Sequence, residues 1–211
     1  MEKVLLIGGG GHCASIIDSM NQQALYEPVG ILDIPEKVGE VILGVPVIGT
    51  DDEAKKYFQR GVKRAFISLG SIGDTKLRQK LYQQMKDIGF TFPTVTDPTA
   101  IVSPYTQIGE GTFIGKGAVV NATVIIGTHA IINTGTIVEH DGVIGDFVHL
   151  APGTTLSGTV TIGDHTHLGT NSTVIQSISI GENTIIGAGS VVIKSIGAGK
   201  KAYGNPCREV E

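Results

Sequence analysis

A chain of 211 residues has room for two small cores, and its 41% hydrophobic content is ordinary for a globular protein. The 30 glycines beside only 5% aromatic residues favour tight, repeated turns over a core of large rings. A net charge of −4 gives no reason to propose nucleic acid as a partner, and no apolar run approaches membrane-spanning length.

The N-terminus passes from Met1 directly into Val4-Leu5-Leu6-Ile7, a short buried-strand pattern without signal-peptide architecture. Four glycines, Gly8 to Gly11, follow, then a helix-like stretch from His12 to Asn21. Val29-Gly30-Ile31-Leu32-Asp33 reads as a second strand. Glu36 to Gly39 reads as a surface excursion, and the segment from Val41 to Gly49 as a hairpin-like return. Asp51-Asp52-Glu53 suit a helix start, where acids oppose the dipole. Ala65 to Leu69 is a third strand, followed by a helix from Asp74 to Ile88. Apolar strands alternating with helices predict a small parallel sheet covered on both faces. Pro93 and Pro98 punctuate a linker.

From Val102 the rhythm changes. Stepping by six gives Val102, Ile108, Ile114, Val120, Ile126, Ile132, Val138, Ile144, Leu150, Leu156, Ile162, Leu168, Val174, Ile180, Ile186 and Val192, all aliphatic. The position four beyond an anchor is mostly small: Thr106, Thr112, Ala118, Ala130, Thr136, Gly142, Thr154, Ser172. A period of six is neither helical nor simple strand alternation, so it requires a repeat architecture. Three hexads make an 18-residue coil, and Ile108-Gly109, Ile126-Gly127, Ile144-Gly145, Ile162-Gly163 and Ile180-Gly181 recur at that spacing. The pattern predicts a three-sided parallel β-helix with inward anchors, about five coils at ~4.8 Å each. Gly or Asn directly after the anchor, as at Asn121 and Asn133, marks that position as the expected positive-φ corner. The organisation expected is a Rossmann-like domain over 1–99, a β-helix over 100–197 and a tail over 198–211.

Cys13 and Cys207 lie far apart and make no CxxC spacing, so they read as reduced thiols of a cytoplasmic protein. His129, His165 and His167 read as surface polar residues on coil faces. The HxH pair lacks a third ligand, so no metal is expected. Gly9-x-Gly11-x-x-Ala14 with Asp33 about twenty residues on fits a dinucleotide fingerprint, but an NAD dehydrogenase leaves the second half unexplained.

The motifs Ile7-Gly8-Gly9-Gly10-Gly11-His12, Gly30-Ile31-Leu32-Asp33, Asn133-Thr134, Val138-Glu139-His140-Asp141, Phe147-Val148-His149 and Tyr203-Gly204-Asn205-Pro206 resemble, nearly end to end, one branch of the left-handed β-helix acyltransferases. These are the bacterial sugar acetyltransferases of the sialic-acid O-acetyltransferase and bacillosamine-pathway N-acetyltransferase type. The resemblance implies the left-handed coil, a homotrimer and acetyl-CoA held between neighbouring prisms. It also implies a UDP-sugar whose nucleotide lies against the first domain, near Gly10, Gly11, His12, Asp33 and Gly70. Two departures stand out: Ile34 follows Asp33 where some members carry a second acid, and Cys207 replaces a common Ala before Arg208.

The acetyl thioester needs a nucleophile freed of its proton. His140, two residues past Val138, is expected to point away from the prism wall and act as general base, with Asp141 orienting the imidazole. From the resemblance, Gly158 offers an N–H to the thioester carbonyl, His149 touches acetyl-CoA, and Thr170 and Ala188 line the pantetheine path. The expected reaction is direct acetyl transfer to the amine of a UDP-linked 4-amino-4,6-dideoxyhexose. The alternatives are O-acetylation of a sialic-acid-type sugar and a non-catalytic scaffold trimer.

Overall fold

The computed structural model describes residues 1–210, in two compact units: 1–71 with 75–98, and 72–74 with 99 onward.

The first unit contains β1 (Glu2–Ile7), α1 (Gly11–Gln23), β2 (Tyr26–Leu32), β3 (Val41–Ile42), β4 (Val45–Gly49), α2 (Ala54–Gln59), β5 (Arg64–Ile67) and α3 (Lys76–Ile88). The sheet order is β3-β4-β2-β1-β5. Only the β3–β4 hairpin is antiparallel, which matches the return read between Val41 and Gly49. Along β1 both alternating sets are fully buried: Leu5 and Ile7 join a core with Leu32, Ile67, Leu81 and Met85, while Val4 and Leu6 are equally inaccessible. That pattern belongs to a sheet covered on both faces. Before α2, Thr50 and Glu53 close a capping box, so the acidic run serves a helix start as the sequence indicated.

The second unit is a coil of two-residue strands stacked in three parallel sheets. Each strand pairs with those 18 residues before and after it, as in Val119-Val120 with Ile137-Val138. The anchors from Ile114 to Val192 are no more than 2% exposed and form one continuous apolar column. Val102 and Ile108 are half-buried, because their strands have a neighbouring coil on one side only. Buried hydroxyls at the small positions satisfy carbonyls of the coil above: Thr112 Oγ1 donates to Gly127 O at 2.8 Å, and Thr166 Oγ1 to Gly181 O at 2.8 Å. At the far end Lys201–Tyr203 extends the ladder from Ile185-Ile186, and Arg208–Val210 folds back antiparallel on it.

Two expectations need correction. Positive φ falls three residues past the anchor, not one: Thr123, His129, Asp141, Phe147, His165 and Asn171 all lie between 52° and 64°. Glycine directly after the anchor answers a different demand. A Cβ on Gly109 would lie 2.5 Å from the carbonyl carbon of Gly127, so the backbones of successive coils exclude any side chain there. The second correction concerns the histidines. His129 is fully buried and stacks on Phe147 (centroids 5.1 Å apart, planes at 14°), and Phe147 in turn meets His165 at 5.7 Å. His167 is 7% exposed. A prism wall holds rings that lie along it, and polar residue type alone did not reveal this.

Burial also governs the thiols. Desolvation raises the pKa of Cys13 to about 11, and it raises that of buried Cys207 as well. At pH 8 the Cys13 thiol stays protonated, and the thiol is not the nucleophile. The native protein is therefore expected to resist a disulfide-exchange reagent at pH 8 and to expose both thiols on denaturation. Rapid labelling of either thiol in the folded state is the contrary result.

Candidate active site

His140 and Asp141 occupy the turn after the strand Ile137–Val138. Both side chains reach solvent, 61% and 57% exposed. His140 Nδ1 lies 2.8 Å from Asp141 Oδ2, and Asp141 Oδ1 accepts from Thr123 Oγ1 at 2.6 Å. The hydrogen bond from Thr123 and then that with His140 hold the Asp141 carboxyl below its ordinary pKa. An ionised carboxylate on Nδ1 fixes the proton there, leaving the Nε2 lone pair for an incoming acid. The backbone is equally constrained: Asp141 N donates to Ala122 O (3.2 Å), and His140 O accepts from Thr159 N (2.9 Å).

Gly158 lies one coil beyond His140. A Cβ on it would fall 2.7 Å from Cε1 and 2.8 Å from Nε2 of the imidazole. The missing side chain is what leaves room for the ring, a steric role the sequence reading did not assign.

His149 sits in another of the three sheets, 9% exposed. Asn133 Nδ2 lies 3.2 Å from its Nε2, and His167 packs edge-on at 4.9 Å. Burial lowers the pKa of His167, which favours a neutral ring. Thr170 and Ala188 are exposed at the turn after the His149 sheet, one coil apart. Thus the chain gathers His140, Asp141 and Gly158 into one cluster. It places His149 on a different wall, and Thr170 with Ala188 on a different turn.

In the first unit the carboxyl ends of the parallel strands β1, β2 and β5 bring Gly10, Gly11, His12, Asp33 and Gly70 to one sheet edge, where open α/β sheets bind ligands. Gly10 caps α1 without a side-chain bond, and Gly70 lies against His12 Cβ. Gly8 is left-handed at φ +100°, and a side chain there would collide with Leu69. Asp33 faces inward to the turn: Oδ2 accepts from Gly9 N (2.6 Å) and from Lys37 Nζ (3.0 Å), and Oδ1 accepts from Ile34 N (2.7 Å). Burial raises its pKa, but the Ile34 and Gly9 bonds and the Lys37 charge outweigh that and leave it lowered. The departure at Ile34 is therefore a structural turn, in which Asp33 buttresses the glycine loop.

Sequence reasoning passed over Lys37 and Thr123. Lys37 was signalled by its i+4 spacing from Asp33, and Thr123 by lying one 18-residue coil before Asp141. Among the described residues no cluster of metal-ligating side chains occurs, and no helix is long and apolar enough to cross a membrane.

Comparison with known proteins matches residues 3–85 to the PglD N-terminal domain. Residues 105–140 match the hexapeptide repeat of succinyl-transferase, and 159–194 the bacterial transferase hexapeptide. No curated protein sequence matches. Among solved structures, a histidine-to-asparagine mutant of perosamine N-acetyltransferase from Caulobacter crescentus, in complex with CoA and GDP-perosamine, is 37% identical with a TM-score of 0.93. The alignment covers 100% of this chain and 98% of that one. The acetyltransferase domain of PglB from Neisseria gonorrhoeae, in complex with acetyl coenzyme A, is 30% identical with a TM-score of 0.92 and 99% of each chain covered. WeeI from Acinetobacter baumannii is 25% identical with a TM-score of 0.86, both chains covered completely.

Proposed function

Because this chain belongs to the left-handed β-helix sugar acetyltransferases, CoA-dependent enzymes that N-acetylate amino sugars, we propose that it acetylates the amine of a nucleotide-linked 4-amino-4,6-dideoxyhexose with His140 as general base. One observation carries this reading: an exposed imidazole whose Nδ1 is held by a carboxylate at 2.8 Å and against whose Cε1–Nε2 edge Gly158 presents no side chain. Nε2 takes the proton as the amine attacks the thioester carbonyl, the tetrahedral intermediate collapses, and the imidazolium returns that proton to the departing sulfur, so CoA leaves as the thiol. The Gly158 N–H faces the developing oxyanion, and His149, Thr170 and Ala188 hold the acyl donor. Neither cysteine lies in the hexads, so transfer is direct.

A single prism presents His140 and the His149–Thr170 wall on separate sides. A homotrimer resolves this by setting one protomer's His140 against its neighbour's wall. The glycine turn and α1 N-terminus take the diphosphate, with Asp33 and Lys37 holding the turn in shape.

The family resemblance implies a UDP-linked sugar. A GDP-linked sugar is the second reading, favoured by the GDP-perosamine complex of the 37% identical enzyme. Release of CoA thiol from acetyl-CoA, measured with UDP- and GDP-linked 4-amino sugars and a sialic-acid-type hydroxyl acceptor, separates them. Turnover is expected with an amino sugar alone. Turnover on the hydroxyl acceptor only would make the enzyme an O-acetyltransferase, and thiol release with no acceptor would leave only a scaffold with adventitious hydrolysis.

A further inference from the structure

The turn of Asp141 is the fixed point from which the imidazole is aimed, so what holds Asp141 decides how well the base is placed. Its backbone N–H is bonded to Ala122 O, and its carboxylate receives the Thr123 hydroxyl at 2.6 Å. That hydroxyl has one proton and two acceptors in reach, Asp141 Oδ1 and Ala122 O at 2.5 Å. Ala122 O already accepts the Asp141 N–H, and an anion is the stronger acceptor, so the proton belongs on the carboxylate.

The conformation of Thr123 adds a second consideration. It is left-handed at φ +64°, unusual for a β-branched residue, where the same turn position elsewhere carries Gly111, Gly117, Gly135 or Gly153. Thr159, two coils further, shares that conformation at φ +62°. Backbone strain therefore does not single out Thr123; its bond to the carboxylate does.

We propose that Thr123 is a positioning residue for the acetyl transfer, its hydroxyl locking Asp141 against His140 so that the catalytic unit is a triad spanning two coils. Loss of the hydroxyl frees the exposed Asp141 to rotate. The imidazole then loses its fixed tautomer and its aim, while acyl-donor binding on the His149 wall is untouched. The inference rests on His140 acting as the base.

The test is a kinetic series with acetyl-CoA and the acceptor identified by the thiol-release panel. Thr123→Ala is expected to lower kcat about tenfold, the rate equivalent of one charge-assisted hydrogen bond, with KM for acetyl-CoA unchanged. Thr123→Ser restores most of kcat. In an Asp141→Ala background Thr123→Ala costs nothing further. Ser177→Ala, the backbone control at the same turn position with φ +58°, stays within about twofold of the parent. Parent-like kcat in Thr123→Ala, failure of the serine to rescue, an equal loss in Ser177→Ala, or an additive loss on Asp141→Ala each overturns the proposal. If His140→Ala itself turns over normally, the general-base reading has failed first. If His140→Ala is inactive while Thr123→Ala is normal, only the positioning role has failed.

Discussion

His140→Ala is expected to lower kcat by ~10²–10⁴-fold, the usual contribution of a positioned base, without loss of acetyl-CoA binding or of fold. The side chain is 61% exposed and lies outside the anchor column, so its removal opens no cavity. Substitutions at such exposed sites change stability by no more than about 0.5 kcal/mol. What is lost is chemical: an amine attacking a thioester must shed a proton, and the proposed acceptor of that proton is gone. The remaining histidines of the β-helix are committed to the walls, with His129 stacked on Phe147 and His149 against His167. Asp141→Ala is expected to fall between the parent and His140→Ala, since the base remains but loses its tautomer restraint. The check pairs steady-state kinetics with calorimetric titration of CoA. An alanine variant with wild-type kcat ends the general-base assignment. A variant that no longer binds CoA shows that His140 belongs to the donor site.

The β-helix was legible because its physics is periodic. An inward anchor every sixth residue can be counted, and the 18-residue coil follows from the recurring Ile-Gly pairs that the ladder pairs in register. The His140-Asp141 contact was legible for the same reason, since two residues beyond an anchor lies outside the wall. What escaped depends on atoms brought together across coils or turns. The left-handed residue at a corner is Thr, His, Asp, Phe, Ser or Asn more often than Gly, so composition does not mark it, whereas the glycines that do stand out answer interbackbone clearance. Burial of His129 comes from a ring stack between residues 18 apart, a pairing that residue type does not announce. Asp33 stood out by its spacing, but the bonds its oxygens accept from Gly9, Ile34 and Lys37 are set by the fold of the turn and are not announced by that spacing. Thr123 could have been found by subtracting one coil from Asp141, a step available once the period is known.

Gly158→Ala is expected to keep its fold and lose about 100-fold in kcat. Gly158 has no positive φ, so alanine brings no backbone strain, and the three atoms nearest the added methyl all belong to the far end of the His140 side chain. From 2.7 Å the ring must retreat by about 1 Å to reach ordinary van der Waals distance, and misplacement of that size in a reacting group costs ~10²-fold. The thermal midpoint should hold, because a half-exposed turn with a rotatable neighbour relaxes cheaply. This substitution also separates two roles for the residue. Alanine retains the backbone N–H, so if Gly158 acts solely as an oxyanion donor, kcat stays near the parent value. If clearance for the imidazole matters, kcat falls, and in a His140→Ala background the added methyl makes no further difference, because the ring it displaces is gone. Full activity in the single variant therefore rejects the steric role. A loss that persists undiminished without His140 shifts the cause from the imidazole to the bound thioester.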